Sequence, residues 1–152
     1  MATLEDDWMK GNVTLGAAAN WSSDEIRLVT ELGYALAQQG RNSEAIAIFE
    51  GLAALSPATN YFDTALGALR LRKGDFEDAV RHLDRALKSA PEDIGSRVNR
   101  AEALIHLGRN EDARKDLEIV IAGTGEKSEA ETSVTRGRAL YDTLLETRFL
   151  AE

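Results

Sequence analysis

A spacing of 34 residues recurs through most of this chain of 152 residues. The two prolines of the sequence, Pro57 and Pro91, lie one such interval apart. Five further series keep the same interval: Gly40, Gly74 and Gly108; Ala45, Ala79 and Ala113; Gly33, Gly67 and Ala101; Phe49, Leu83 and Leu117; and Leu52, Ala86 and Val120. A fixed period of this length is typical of a repeat protein, in which each unit buries its apolar side against its neighbours.

The residue types within each copy predict two antiparallel helices, A and B, joined by a tight turn. In the first copy we expect helix A over residues 23–39 and helix B over residues 43–55. Gly40 lies in the turn, where a Cβ atom would be costly. Small residues at Gly33 and Ala45 let the two helix axes approach to about 8–10 Å. Pro57 follows helix B, where its missing N–H costs nothing and the helix cannot continue.

A helix pair of 34 residues is the unit of the tetratricopeptide repeat. The sequence therefore predicts an all-α solenoid of three such repeats. We expect an N-terminal segment over residues 1–21, repeats over about 23–57, 60–91 and 94–125 within the range 22–125, and a capping helix within 126–152. Ser22 with Glu25, and Ser128 with Glu131, have the spacing of a capping box.

The last helix is predicted to cap the solenoid rather than to open a fourth repeat. Thr135 and Arg138 stand where a fourth repeat would need a small residue and a residue of the helix seam. A terminal helix of this kind covers the last apolar side of a repeat array.

Stacked helix pairs twist into a superhelix with a concave groove that the A helices line. Several predicted groove positions carry sizeable apolar or amphipathic side chains, which indicates a binding site for an extended peptide. The alternative is that the last helix or the N-terminal tract folds back over these side chains. The predicted groove positions are Arg27, Thr30, Tyr34, Ala37 and Gln38 in the first copy, Tyr61, Thr64, Ala68, Leu71 and Arg72 in the second, and Val98, Glu102, Ile105 and His106 in the third.

Composition excludes several other classes of function. The net charge of −8 and the pI of about 4.9 disfavour nucleic acid and anionic membrane surfaces as partners. The chain has no cysteine, no apolar run of about 20 residues and no basic-then-apolar leader, so we expect a cytoplasmic protein that does not insert into membranes.

The sequence predicts neither an enzyme nor a metal or cofactor site. His82 is expected to face outward from a B helix, and His106 to lie near the groove without a partner at metal-ligand spacing. No nucleophile motif or phosphate-binding loop is present.

Beyond the generic repeat, the chain resembles the class II chaperones of bacterial type III secretion, which hold translocator proteins. The resemblance covers about residues 8–150. It is carried by Trp8-Met9-Lys10-Gly11 with Thr14-Leu15 and the helix start at Ser22, by the junction from Phe49 to Leu55 with Tyr61-Phe62, and by the last repeat from Ala101 to Ile121.

The resemblance implies a mechanism: an extended N-terminal stretch of a client would bind in the groove, with apolar side chains near Tyr34, Tyr61, Leu71 and Ile105. It also implies that the N-terminal segment mediates a homodimer through Trp8, Met9, Leu15 and Trp21, although these residues could equally pack onto the first repeat. A general bacterial tetratricopeptide scaffold in a multiprotein assembly remains the alternative function.

Overall fold

The computed structural model describes residues 20–55, 61–123 and 128–150, and within these ranges it contains seven α-helices and no β-strand. The helices are α1 (Ser23–Gln38), α2 (Asn42–Leu55), α3 (Tyr61–Lys73), α4 (Phe76–Ser89), α5 (Ile94–His106), α6 (Asn110–Ala122) and α7 (Ser128–Leu150). The predicted all-α fold is confirmed, and the predicted ends of α1 and α2 are correct to within one residue.

The start of α1 is fixed by the capping box predicted from the sequence. Glu25 N–H donates to Ser22 Oγ at 3.2 Å, and Ser22 N–H donates to the Glu25 carboxylate at 2.6 Å. These bonds satisfy donors that a helix start leaves without intrahelical partners. The second of them holds the pKa of the Glu25 carboxyl below its usual value. The corresponding prediction for Ser128 with Glu131 depends on the side chain of Ser128, which lies outside the described residues.

The turn within each repeat needs glycine because the backbone there is left-handed. Gly40, Gly74 and Gly108 have φ angles of +75°, +85° and +73°, a region that other residues enter at a cost. In the first repeat, the N–H of Gly40 donates to Ala37 O at 3.1 Å and that of Arg41 to Leu36 O at 3.0 Å. These bonds cap carbonyl groups at the end of helix A and turn the chain into helix B.

The helices stack in chain order, and the A helices of the second and third repeats also meet each other. Each helix from α1 to α6 packs against the next, while α5 also contacts α3. The final helix α7 packs against both α5 and α6, the place that the A helix of another repeat would occupy. Its position fits the predicted role of a cap on the third repeat.

Two clusters of buried side chains lie between the helices. The first joins α1, α2 and α3 and is centred on Phe49, which is fully buried and meets the rings of Tyr34 and Phe62 at centroid distances of 5.0 and 6.1 Å. The second joins α4, α5 and α6, and Leu140, Tyr141 and Leu144 of α7 pack against it.

The small residues of the helix seam are required by close contacts. A Cβ atom built on Gly67 would lie 2.5 Å from Leu83 Cδ2, which is closer than real side chains approach. We predict that Gly67→Ala lowers the free energy of unfolding by about 1–3 kcal/mol through overpacking, measured by urea denaturation.

Gly95→Ala is the matched control for this substitution. Both glycines are helical, but a Cβ atom at Gly95 would meet only ordinary contacts, the nearest being Asp93 Oδ1 at 3.6 Å. This change should leave stability equal or slightly higher, because alanine restricts the unfolded chain. Equal effects of the two substitutions would contradict the close packing at Gly67.

Helix α7 comes closest to the third repeat at Gly137. This residue lies two positions after the one that the 34-residue period indicates. Gly137 is buried, and a Cβ atom there would lie 3.1 Å from Val120 Cγ1 and 3.4 Å from Val98 Cγ2. Thr135, where the period would need a small residue, is exposed. The two-residue difference arises because the break before α7 does not keep the repeat length.

The prediction that His82 faces outward is wrong. Its side chain is 6% exposed, and its Nδ1 lies 2.8 Å from Oδ1 of Asp63, whose side chain is 8% exposed. Nη2 of Arg85 lies 3.0 Å from the same carboxylate oxygen. The repeat itself explains the burial: Asp63 and His82 are one period after Val29 and Ile48, which belong to the first core cluster.

Replacing this polar pair with its apolar equivalents should be tolerated, whereas removing one partner should not. We predict that His82→Ile alone lowers the free energy of unfolding by about 1–3 kcal/mol, because the buried Asp63 loses a hydrogen bond. The double variant Asp63→Val/His82→Ile should recover to within about 1 kcal/mol of the parent chain. Denaturant unfolding of both variants tests this, and additive losses would contradict it.

The third repeat carries ionic groups at the same register. One period after Asp63 and His82 lie Arg97 and Asp116, and Arg97 Nη1 donates to Asp116 Oδ1 at 3.1 Å. Arg100 donates to both oxygens of Asp116, at 2.6 and 2.7 Å, and to Asp84 of α4 at 2.9 Å. The hydrogen bonding to Asp116 raises the pKa of the Arg100 guanidinium above its ordinary value. This network joins α5 to its own B helix and to the preceding repeat.

Candidate functional site

The candidate site is the surface that the A helices present on the side of the predicted groove. Most of the predicted groove residues on α1, α3 and α5 are exposed or half-buried there. We call this surface the A-helix face, and it consists of Arg27, Thr30, Tyr34, Ala37, Gln38, Thr64, Ala68, Leu71, Arg72, Glu102 and Ile105.

The first repeat supplies the aromatic group of this face. Tyr34 is 43% exposed, and its ring meets Phe49 edge to face at an interplanar angle of 65°. The contact fixes one edge of the ring in the core and leaves part of the side chain accessible. Leu71 of α3 is half-buried against the second core cluster and adds an aliphatic group to the same face.

Val98 does not line the face, and its prediction as a groove residue is wrong. Its side chain is fully buried because α7 lies against it, with Gly137 at the point of contact. Here the terminal helix occupies the space in front of it.

The cap also reaches Glu102. Arg136 of α7 donates to the carboxylate of Glu102 and to Asn99 Oδ1, the latter at 2.9 Å. The alternative expected from the sequence, in which the last helix covers the groove, is therefore realised at the third repeat. Helix α7 contacts neither of the first two A helices closely, since its neighbours are α5 and α6.

His106 lies at the edge of the A-helix face. Its ring stacks on Phe76, the first residue of α4, with centroids 4.2 Å apart and planes at 5°. This stacking directs the imidazole toward the start of a B helix, although the residue as a whole is exposed.

Arg72 links the second repeat to the first. Its Nη1 donates to the carbonyl oxygen of Ala37 at 3.2 Å, near the end of α1. The same oxygen accepts the N–H of the turn glycine Gly40 at 3.1 Å. The side chain of Arg72 is exposed, so the bond holds a cationic group in place at the surface.

Several predicted site residues fall outside the described part of the chain. These are Trp8, Met9 and Leu15, together with the side chain of Tyr61. Trp21, the remaining candidate for self-association, is half-buried and packs against the first core cluster. Its placement matches the alternative of packing onto the first repeat.

Two further observations concern the described residues. Within the three described ranges, no three side chains of the histidine, cysteine, aspartate or glutamate types come together as they would around a metal ion. None of the helices in these ranges combines the length and the apolar character needed to cross a membrane.

Solved structures with the same arrangement include chaperones of type III secretion. SycD of Yersinia enterocolitica, in complex with a peptide of the translocator YopD, is 21% identical with a TM-score of 0.76 over 84% of this chain and 97% of that chain. PcrH of Pseudomonas aeruginosa is 21% identical, with a TM-score of 0.75 over 83% of this chain and 96% of that chain. A type III secretion complex from Aeromonas hydrophila is 22% identical, with a TM-score of 0.78 over 95% of this chain and 96% of that chain. At these identities the likeness shows a shared fold.

Sequence comparison finds a further similarity, to the protein FlbA of Caulobacter vibrioides. The two are 28% identical over 102 residues, which is 67% of this chain and 17% of FlbA. The chain therefore spans a small part of the length of that relative.

The family itself is shown by a match over most of the sequence. The tetratricopeptide-repeat model matches residues 17–59 and 64–127. The matched ranges contain the first and third helix pairs, the second helix pair from residue 64 onward, and the three turn glycines described above. This chain belongs to the tetratricopeptide-repeat family.

Proposed function

We propose that this protein is a peptide-binding chaperone that holds a secreted, translocator-type client on its A-helix face before export. The observation that carries the proposal is the accessible, partly apolar A-helix face of the first two repeats, where Tyr34 and Leu71 are exposed in part. The fold is that of SycD, solved with a peptide of the translocator YopD, and of PcrH, solved with the chaperone-binding region of PopD.

The A-helix face suits an extended and apolar segment. Tyr34 is held by its edge contact with Phe49, so little side-chain entropy is lost when a ligand packs on it. The ordering cost then falls mainly on the client, which is unfolded before it binds. Shielding apolar segments of the client in this way would prevent their aggregation in the cytoplasm, the compartment we propose for the protein. No chemical step is part of this role.

Affinity capture from the native cytoplasm, followed by mass spectrometry, tests the function. We expect one or two secreted proteins with long apolar segments, and their solubility should depend on this protein. Recovery of folded assembly components whose solubility does not depend on it would contradict the proposal. That result would favour a general scaffold, a role that the similarity to part of the much longer FlbA also fits.

The A-helix face makes a sharper prediction. Tyr34→Ala combined with Leu71→Ala should weaken binding of the captured client at least tenfold, because both apolar contacts are lost. Helix content should not change, and the cost in stability should be about 1–2 kcal/mol, since Tyr34 and Leu71 are both partly exposed and lose only part of a buried contact. Titration calorimetry measures the affinity and circular dichroism the helix content.

The control for this variant truncates exposed side chains of similar size on B helices. Ile119 is 52% exposed on α6, and the Arg81 side chain is 63% exposed on α4. Arg81→Ala/Ile119→Ala should leave client affinity unchanged. Equal losses in the two double variants would show that the A-helix face is not the binding surface.

We also propose the division of the chain expected from the sequence, with residues 1–21 as a self-association segment, 22–125 as the peptide-binding repeats and 126–152 as the cap. SycD of Yersinia enterocolitica has been solved as an alternative dimer, which supports a homodimer here. Sedimentation of the full chain over a concentration series tests this, and a monomer at all concentrations would contradict it.

A further inference from the structure

Among the described residues, Arg72 differs from most arginines in having no carboxylate partner. Ion pairs to aspartate or glutamate are made by Arg27, Arg41, Arg70, Arg81, Arg85, Arg97, Arg100, Arg109, Arg114 and Arg136. Among the arginines of the described ranges, the exceptions are Arg72, Arg138 and Arg148. In a chain with 26 acidic and 18 basic residues, an arginine left without an acidic partner is the less common arrangement.

The three exceptions lie in different places. Arg138 and Arg148 are exposed on the terminal helix α7. Arg72 lies on the A-helix face, next in sequence to the half-buried Leu71. It is therefore the unpaired arginine that a bound client would meet.

Two of the three charged residues of this face are held in ion pairs. The carboxylate of the A-helix face is Glu102, and Arg136 neutralises it. In the first two repeats the charged groups of the face are Arg27, which is paired at 3.4 Å with the exposed Asp24, and Arg72. Arg72 is therefore the charged group of this face that is not in an ion pair among the described residues, on a protein whose net charge is −8.

The guanidinium of Arg72 is held in place but only partly used. Among the described residues its hydrogen-bond partner is Ala37 O, which accepts a hydrogen bond from Nη1 at 3.2 Å. A guanidinium has five N–H donors in a fixed planar fork, and such a fork matches a carboxylate in two parallel hydrogen bonds. Because one bond already fixes the side chain, less entropy is lost when a ligand engages the remaining donors.

Resting on the proposed function, we infer that Arg72 determines specificity by binding the side-chain carboxylate of an aspartate or glutamate in the client segment. The apolar residues beside that acid contact Tyr34 and Leu71. The preferred ligand is then an extended peptide in which one acidic residue stands among apolar ones. An apolar stretch without an acid would bind less tightly.

Selection from random 12-residue peptides displayed on phage tests this inference without knowledge of the natural client. The full chain, the variant Arg72→Gln and the control Arg138→Gln serve as targets. Peptides selected by the parent chain and by Arg138→Gln should be apolar with aspartate or glutamate enriched at one position. Peptides selected by Arg72→Gln should remain apolar and lose that enrichment. Fusion of the peptides through their C-termini restricts the result to side-chain carboxylates.

Affinities of synthetic peptides make the test quantitative. The most enriched peptide, with an amidated C-terminus, is compared with its analogue in which the acid is replaced by its amide. The parent chain should bind the analogue about tenfold more weakly, as expected for loss of a charge-assisted hydrogen bond. The Arg72→Gln variant should bind both peptides equally. Arg72→Lys, which keeps the charge but not the fork, should show an intermediate difference.

The outcomes separate this inference from the function on which it rests. Apolar peptides with the same acidic enrichment for Arg72→Gln as for the parent chain would overturn the role of Arg72 and leave the chaperone function standing. Enrichment of no peptide by the parent chain would overturn both. Thermal melting of each variant shows whether loss of the hydrogen bond to Ala37 O unfolds the protein. If Arg72→Gln unfolds, the Arg72→Lys variant is used in its place. If Arg72→Lys and the parent chain then show the same ratio of affinities for the acidic peptide and its amide analogue, the inference is overturned.

Discussion

Phe49→Ala is expected to lower the free energy of unfolding by about 3–5 kcal/mol. Phe49 is fully buried at the centre of the first core cluster and contacts side chains from all three helices that form it. Its ring lies against Tyr34 and Phe62, and two of its carbons would be 3.0 Å from a Cβ atom on Gly33. Truncation leaves a cavity that neighbours fixed in helices cannot fill by local movement.

Urea denaturation followed by circular dichroism measures this loss. The control is Ile119→Ala, which removes a large apolar side chain that is already 52% exposed and should change stability by no more than about 0.5 kcal/mol. Because stability in a repeat array is close to a sum over units and their interfaces, the first repeat should unfold before the third. A loss below about 1 kcal/mol for Phe49→Ala would contradict the packing described for α1, α2 and α3.

Asp116→Ala should cost a similar amount, about 3–5 kcal/mol, for an electrostatic reason. The Asp116 side chain is 5% exposed and accepts hydrogen bonds from Arg97 and Arg100, whose side chains are 13% and 21% exposed. Removing one member of a buried ionic group leaves the remaining charges desolvated and without a partner. Arg97 and Arg100 would keep only Pro91 O and Asp84 as acceptors.

The matched control lies one turn earlier on the same helix. Asp112 is 46% exposed at its side chain and pairs with Arg109 and Lys115 at the surface. Asp112→Ala should change stability by less than about 1 kcal/mol, because exposed ion pairs contribute little. Thermal and urea unfolding of the two variants give the comparison. Equal effects would mean that the network around Asp116 does not tie the third repeat to the second.

Much of the fold could be predicted because the repeat states each local requirement three times. The turn glycines and the buried position of Phe49 recur in each copy, whereas the capping box of Ser22 with Glu25 could be predicted from the spacing of two residues at one helix start. The burial of His82 could have been predicted in the same way, since the period places it at the position of the buried Ile48. The polarity of the side chain alone favours the solvent-exposed side of the helix, whereas His82 lies on the buried side.

Features that depend on the terminal helix could not be predicted from the period. The break before α7 does not keep the repeat length, so the close contact falls at Gly137 and not at Thr135. The same packing buries Val98 and brings Arg136 to Glu102. These contacts join the third repeat to α7, which does not follow the 34-residue period. The period therefore does not indicate which residues of α7 meet the third repeat. Helix α7 packs on α5 and α6, and the predicted groove residues of the first two repeats whose side chains the structure describes are exposed or half-buried.

Photo-crosslinking in the native cell is the most direct test of the central claim, that the A-helix face holds the client. A benzophenone amino acid in place of Tyr34 keeps an aromatic group on that face, and the same amino acid in place of Arg81 probes the surface of the B helix α4. The account predicts crosslinks from position 34 to a secreted protein with apolar segments and none from position 81. Crosslinks to that protein from position 81 alone, or equally from both positions, would contradict binding on the A-helix face.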